Sequence, residues 1–168
     1  MGSEVQIATV DVFLVLRDAS GRILFGRRAR HLYAGDMFNL ISGKAEPGED
    51  ATTAMIREAQ EEAGVRLDAD DLRSIGAVHT NAGSGPRVGF VFTADHDAVR
   101  HGDVRNAEPD KCDGLVWADP PSWPQPLEPY NAAALGLLDP NSPPLALHGW
   151  GPQPFARQRR VDHADGAP

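Results

Sequence analysis

GKAEPGEDATTAMIREAQEEAGV, residues 43–65, joins a loop punctuated by glycines to a helix that ends among glutamates. From Asp50 to Ala63 nothing breaks a helix, and Glu49 or Asp50 stands where its N-terminus needs an acceptor. Ala51, Met55, Ala59 and Ala63 recur every fourth residue and make a small apolar stripe. Gly64 falls where a left-handed residue ends a helix. At about 100° per residue, Glu58, Glu61 and Glu62 share an arc of roughly 100°. Carboxylates so crowded repel one another unless a cation sits among them, and hard oxygen ligands suit Mg²⁺ or Mn²⁺ over zinc. A solvated acidic helix end is the competing reading of the same residues. Against it, acidic side chains oppose the dipole at a helix C-terminus. Arg57 is placed to pair with Glu61 one turn on or with Glu49 in the loop. Gly43 and Gly48 bracket a loop able to turn backbone groups toward a ligand. A metal held there could bridge carboxylates and phosphate and activate a water.

The flanks supply a sheet. Residues 5–16, VQIATVDVFLVL, read as a buried strand, and residues 22–28, RILFGRR, as a second one hairpinned to it across a turn at 18–21. MFNLIS, residues 37–42, is expected as one short strand closed by Gly43. Further strands are predicted at 72–81, 87–94 and 114–118, with a last helix over 128–138 and a long loop over 95–111. The interleaving βββ-α-βββ-α pattern predicts an α/β domain with a mixed sheet. Residues 1–139 form the expected domain, and 140–168 a Pro/Gly-rich, partly disordered tail. Leu145, Leu147, Trp150 and Phe155 could dock the front of that tail on the body.

With 168 residues, one domain is expected. Lys+Arg 16 against Asp+Glu 24 leaves a formal charge of −8, which argues against a duplex nucleic-acid partner. No run approaches the roughly 18 apolar residues of a membrane span. The opening residues lack a basic leader and a cleavage site, so a cytoplasmic location is expected. A single cysteine, Cys112, excludes an internal disulfide and a Cys₄ zinc site.

The 43–65 stretch resembles the Nudix box, G-x5-E-x7-R-E-U-x-E-E-x-G-U with U aliphatic. Gly43, Glu49, Arg57, Glu58, Glu61, Glu62, Gly64 and Val65 occupy its places, and small Ala59 stands at the first U. The flanking strand order is similar to that family over about residues 5–138. The resemblance implies a Nudix-type α/β/α sandwich and a hydrolase of diphosphates linked to a group X, with Mg²⁺ as cofactor and Mn²⁺ able to substitute. It implies Glu58 and Glu62 as metal ligands, Glu61 as a ligand or the partner of one, and a backbone carbonyl at Ser42 or Gly43 as a further ligand. Arg57 and Glu49 would form an ion pair fixing loop to helix. Glu108 matches an acidic position used by MutT-like members as a fourth ligand or base. Arg28 matches a substrate-contacting arginine, a fork suited to phosphate, while Arg27 should point to the other face of its strand. The substrate implied is a small diphosphate, a nucleoside triphosphate or nucleoside diphosphate derivative, acted on by a monomer or homodimer. A binding-only Nudix module and an isoprenoid-diphosphate hydrolase are the alternatives. Leu127 stands about where guanine-reading MutT members carry asparagine, so oxidised guanine is not implied.

Overall fold

The computed structural model describes residues 7–83 and 85–151. Phe155 and the rest of the expected tail from 152 onward lie outside them. β1 (Thr9–Arg17) is apolar on both faces because both faces are covered. Val12, Leu14 and Leu16 pack with Ala54, Met55, Ala59 and Ala63 of α1 (Ala51–Ala63). Phe13 and Val15 point the other way, into a second core with Ala134 and Leu135 of α3 (Pro129–Leu135). The period of two along a strand thus splits one sequence run between two helix layers. The fold is the expected α/β sandwich with a mixed sheet.

β1 is central. Its whole length pairs in parallel with β6 (Arg87–Asp95), and on its other edge Asp11–Leu14 pair antiparallel with β4 (Ile41–Lys44). β2 (Ile23–Arg28) touches β1 only at Arg17↔Ile23, so the expected hairpin opens as soon as its turn is made. Instead β2 pairs with β3 (Phe38–Asn39) and β7 (Cys112–Ala118). β5 (Arg73–Thr80) flanks β6. The predicted strand at 37–42 is two strands, because the chain leaves β2 for β1 at Leu40. There the side chain of Asn131 replaces a sheet partner, its Oδ1 accepting from the Leu40 N–H at 2.9 Å.

Two further differences matter for the site. Residues 95–111 are not all loop: α2 (Ala98–His101) is capped by Asp97, and the segment then runs along the end of α1. The front of the expected tail docks as a strand. β8 (Leu145–His148) pairs in parallel with β5, and Trp150 donates its indole N–H to the His79 carbonyl at 2.9 Å. Four residues without strong alternation carry little strand signal until a partner edge is present.

Candidate active site

Asp50 starts α1, its carboxylate accepting from the Thr52 and Thr53 N–H groups at 2.9 and 3.0 Å. Glu49, the other candidate cap, is free to turn inward. It meets Arg57 in a fork: Nε to Oε1 at 3.0 Å and Nη2 to Oε2 at 2.9 Å. The same guanidinium donates to Glu58 Oε1 at 2.8 Å, to Glu61 Oε2 at 3.2 Å and to the Lys44 carbonyl at 2.9 Å. Both pairings foreseen for Arg57 therefore exist together. Arg57 ties the loop to the helix, and Glu49 in return holds the guanidinium more firmly charged than usual.

Glu62 lies on the inner side of the helix and accepts the Ser42 N–H at 3.0 Å. Burial pushes its carboxyl up to about 8, and the neighbouring charges of Glu58 and Glu108 push the same way. Burial also raises Glu58, against the pull of Arg57. Gly43 is required by close approach: a Cβ there would overlap the Glu58 carboxyl. Glu108 arrives from the far end of the 95–111 segment, with Lys111 Nζ at 2.6 Å. Arg28, Asn39, Glu62, Glu108 and Lys111 share the lining of a small cavity of about 60 Å³. Arg28 and Asn39 also line a cleft of about 770 Å³ that reaches Ser42, Gly43 and Lys44, so the two spaces meet at these residues. Arg28 spends its Nε on the Tyr33 carbonyl and keeps its Nη groups for other partners. Arg27 turns away to Asp36 at 2.7 Å.

The carboxylates and the Asn39 side chain offer oxygen donors, and the Cys112 thiol on the same cavity is spent on the Gly114 carbonyl. Asn39 Oδ1 adds a buried acceptor with no hydrogen-bond partner among the described residues. Such a set fits Mg²⁺ or Mn²⁺. Among the described residues, no three acidic, histidine or cysteine side chains yet stand close enough to hold an ion as they are. Arg57 draws one oxygen each of Glu58 and Glu61 to itself.

A NUDIX domain model matches residues 8–136, well over half of the chain. The chain belongs to the Nudix hydrolase family. No curated protein matches the sequence. Among solved structures, the Nudix chain is similar to a MutT NUDIX hydrolase from Burkholderia pseudomallei at 26% identity and TM-score 0.68, covering 79% of this chain and 99% of that one. It shares its fold with the MutT protein from Methanosarcina mazei Go1, at 21% identity and TM-score 0.58 over 70% and 80% of the two chains. It also shares it with a bifunctional NMN adenylyltransferase/ADP ribose pyrophosphatase from Francisella tularensis complexed with AMP and a Mn ion. That likeness has 19% identity and TM-score 0.54, over 71% of this chain and 36% of the other.

Sequence reading missed the rest of the Nudix cleft: Asp11, Arg87, Tyr130 and His148. Asp11 is buried and salt-bridged to Arg87, and Tyr130 donates its hydroxyl to Asp11 Oδ2 at 3.2 Å. No local pattern marks them, because they come from four separate elements. Cys112 is no nucleophile: burial pushes its thiol up, and its Sγ donates to the Gly114 carbonyl at 3.2 Å.

Proposed function

We propose that this Nudix hydrolase is a Mg²⁺-dependent pyrophosphohydrolase of a nucleoside triphosphate or nucleoside diphosphate derivative. Mn²⁺ serves in its place. The observation that carries the reading is that Glu62 and Glu108 line one small cavity with Arg28, while the charges of Glu58 and Glu108 both act on Glu62. Partial burial and mutual repulsion raise Glu58 and Glu62, and a cation among them offsets both effects. Glu58, Glu61, Glu62, Glu108 and the Gly43 carbonyl are the residues that would hold it. When bound, the ion supplies charge neutralisation for the phosphates and a water of lowered pKa.

The chain's own residues do the rest. Glu49 and Lys44 anchor Arg57, and Arg57 in turn orients Glu58 through Oε1. Glu58 Oε2, left without a partner by this arrangement, takes the proton of the attacking water. The Ser42 N–H sets the rotamer of Glu62. Arg28 offers its Nη groups to phosphate oxygens beside the cleft, where its Nε anchor on Tyr33 limits its motion.

The test is release of phosphate, pyrophosphate or nucleoside monophosphate from a panel of nucleoside triphosphates and nucleoside diphosphate derivatives, with Mg²⁺, Mn²⁺ or a chelator. Turnover is expected with either ion and none with the chelator. Glu58→Gln keeps the shape of the side chain and removes its basicity. It should lower turnover by at least about 10²-fold, the low end for one general base. Nucleotide binding without hydrolysis under any divalent ion overturns the enzyme reading in favour of a binding module. Turnover confined to isoprenoid diphosphates overturns the nucleotide.

A further inference from the structure

The 770 Å³ cleft has the size of a small-molecule site, and its lining joins Gly43 and Lys44 of the glutamate site to Tyr130 and His148. His148 lies on β8, beyond the residues 8–136 that match the family.

Both aromatic groups are held in place. Tyr130 rests edge-on against Phe13, with centroids 4.7 Å apart and planes at 80°, and its hydroxyl is tied to Asp11. His148 sits opposite Thr80 in the β5–β8 register, with Nδ1 2.9 Å from Thr80 Oγ1. The same hydroxyl accepts the Ala82 N–H at 3.1 Å, which fixes it as the anchor of the His148 ring. The two rings are parallel within 5°, their centroids 6.4 Å apart. That separation lies within the about 4.5–7 Å range of aromatic pairs, so the two rings form one continuous aromatic wall of the cleft.

We propose that Tyr130 and His148 are the specificity-determining pair of this cleft and that the planar base of a nucleotide stacks against the aromatic wall they form. The proposal rests on the nucleotide reading above and deepens it. Phosphates are drawn to Arg28 and the glutamate site, while the base is held at the far end of the cleft by α3 and β8. Base stacking is tolerant of identity because every base has a π-face. The pair therefore selects nucleotides over ringless phosphates more strongly than one base over another.

The experiment is calorimetric binding of α,β-methylene-ATP, α,β-methylene-GTP and inorganic tripolyphosphate to the full chain in Mg²⁺. The variants are His148→Ala and His148→Phe, with thermal melts to confirm folding. His148→Ala should weaken both nucleotide analogues by at least about 5-fold, the low end for one base on an aromatic ring. The loss should be confined to the ring-bearing probes, and His148→Phe should recover most of it. On a hydrolysed nucleotide the defect should appear in KM more than in kcat. Equal weakening of all three probes, or none, overturns the pair, as does failure of the wild type to bind either nucleotide analogue. Binding of the analogues that depends on His148, without hydrolysis of any nucleotide, leaves the pair standing and sinks the hydrolase alone.

Discussion

Ala107 donates its backbone N–H to the carbonyl of Glu62 at 3.1 Å. Arg105 does the same for the Ala63 carbonyl at 3.0 Å. The last carbonyls of a helix have no partner within it. Here the returning segment supplies one, and the residue after Ala107 is Glu108. The stitch that closes α1 therefore delivers the fourth carboxylate to the site. It also eases a helix end whose side chains are acidic. Gly64 permits the approach twice over: its φ is 70°, and a Cβ on it would strike the Arg105 side chain at 2.8 Å.

Arg57→Ala removes the single group that links Lys44, Glu49, Glu58 and Glu61. Activity should fall about 10- to 100-fold, the scale for a residue that orients metal ligands. Arg57→Lys should not restore it, since one ammonium cannot reproduce the fork on Glu49. Steady-state kinetics on the best nucleotide of the panel, beside circular dichroism, checks both outcomes.

Gly43→Ala puts a methyl group against the Glu58 carboxyl, the movable end of a flexible side chain. Glu58 can swing aside, so the melting temperature should change little. The site should not survive as well: turnover should drop at least about 10-fold, the scale for misplaced metal ligands. The stabilisation conferred by Mg²⁺ should shrink with it. A variant with wild-type turnover would contradict the close packing of Gly43 on Glu58.

Asp71 tethers the segment that carries Glu108. Its carboxylate accepts the Asp68 N–H at 2.8 Å and lies 2.9 Å from Arg100 Nη2 on α2. The Asp68 N–H and then the Arg100 charge hold its carboxyl below the ordinary 3.8. A depressed carboxyl contributes stability that is fully present above 3.8 and fades as the pH falls through the folded value. Asp71→Asn should therefore melt lower than the wild type at pH 7, with the gap closing below pH 3.8. Parallel melts of the two proteins between pH 2.5 and 7 show whether it does.

Asn131→Ala leaves the Leu40 N–H, at the step between β3 and β4, without its acceptor. An orphaned buried donor costs about 1–3 kcal/mol. The melting temperature should fall, and hydrogen exchange at Leu40 should speed up. Because Asn39 beside it lines both cavities, KM for the nucleotide should rise as well. Unchanged exchange at Leu40 would show that another group, such as water, satisfies the N–H.

The sequence by itself determined what lies within one helix and its loop. Asp50, the four-residue apolar repeat and Gly64 bound α1, and the 3.6-residue period alone puts Glu58, Glu61 and Glu62 on one side of it. Loop and helix are contiguous, so the Arg57–Glu49 pair was also within reach of spacing. The unbroken apolar run along β1 announced a buried strand for the same local reason. Partner choice in the sheet was decided only by the tertiary structure. Whether β2 stays with β1 or leaves it for β7 depends on which edges are free, and hydrogen bonding between distant strands writes no local period. Leu40 could be read as mid-strand until Asn131, 91 residues away, supplied the bond that lets the chain change neighbours there. The cleft follows the same rule. Asp11, Arg87, Tyr130 and His148 meet because β1 and β6 run in parallel, α3 covers them and β8 joins β5. Local chemistry therefore placed the helix glutamates, whereas long-range packing built the cleft that reaches Gly43 and Lys44 beside them.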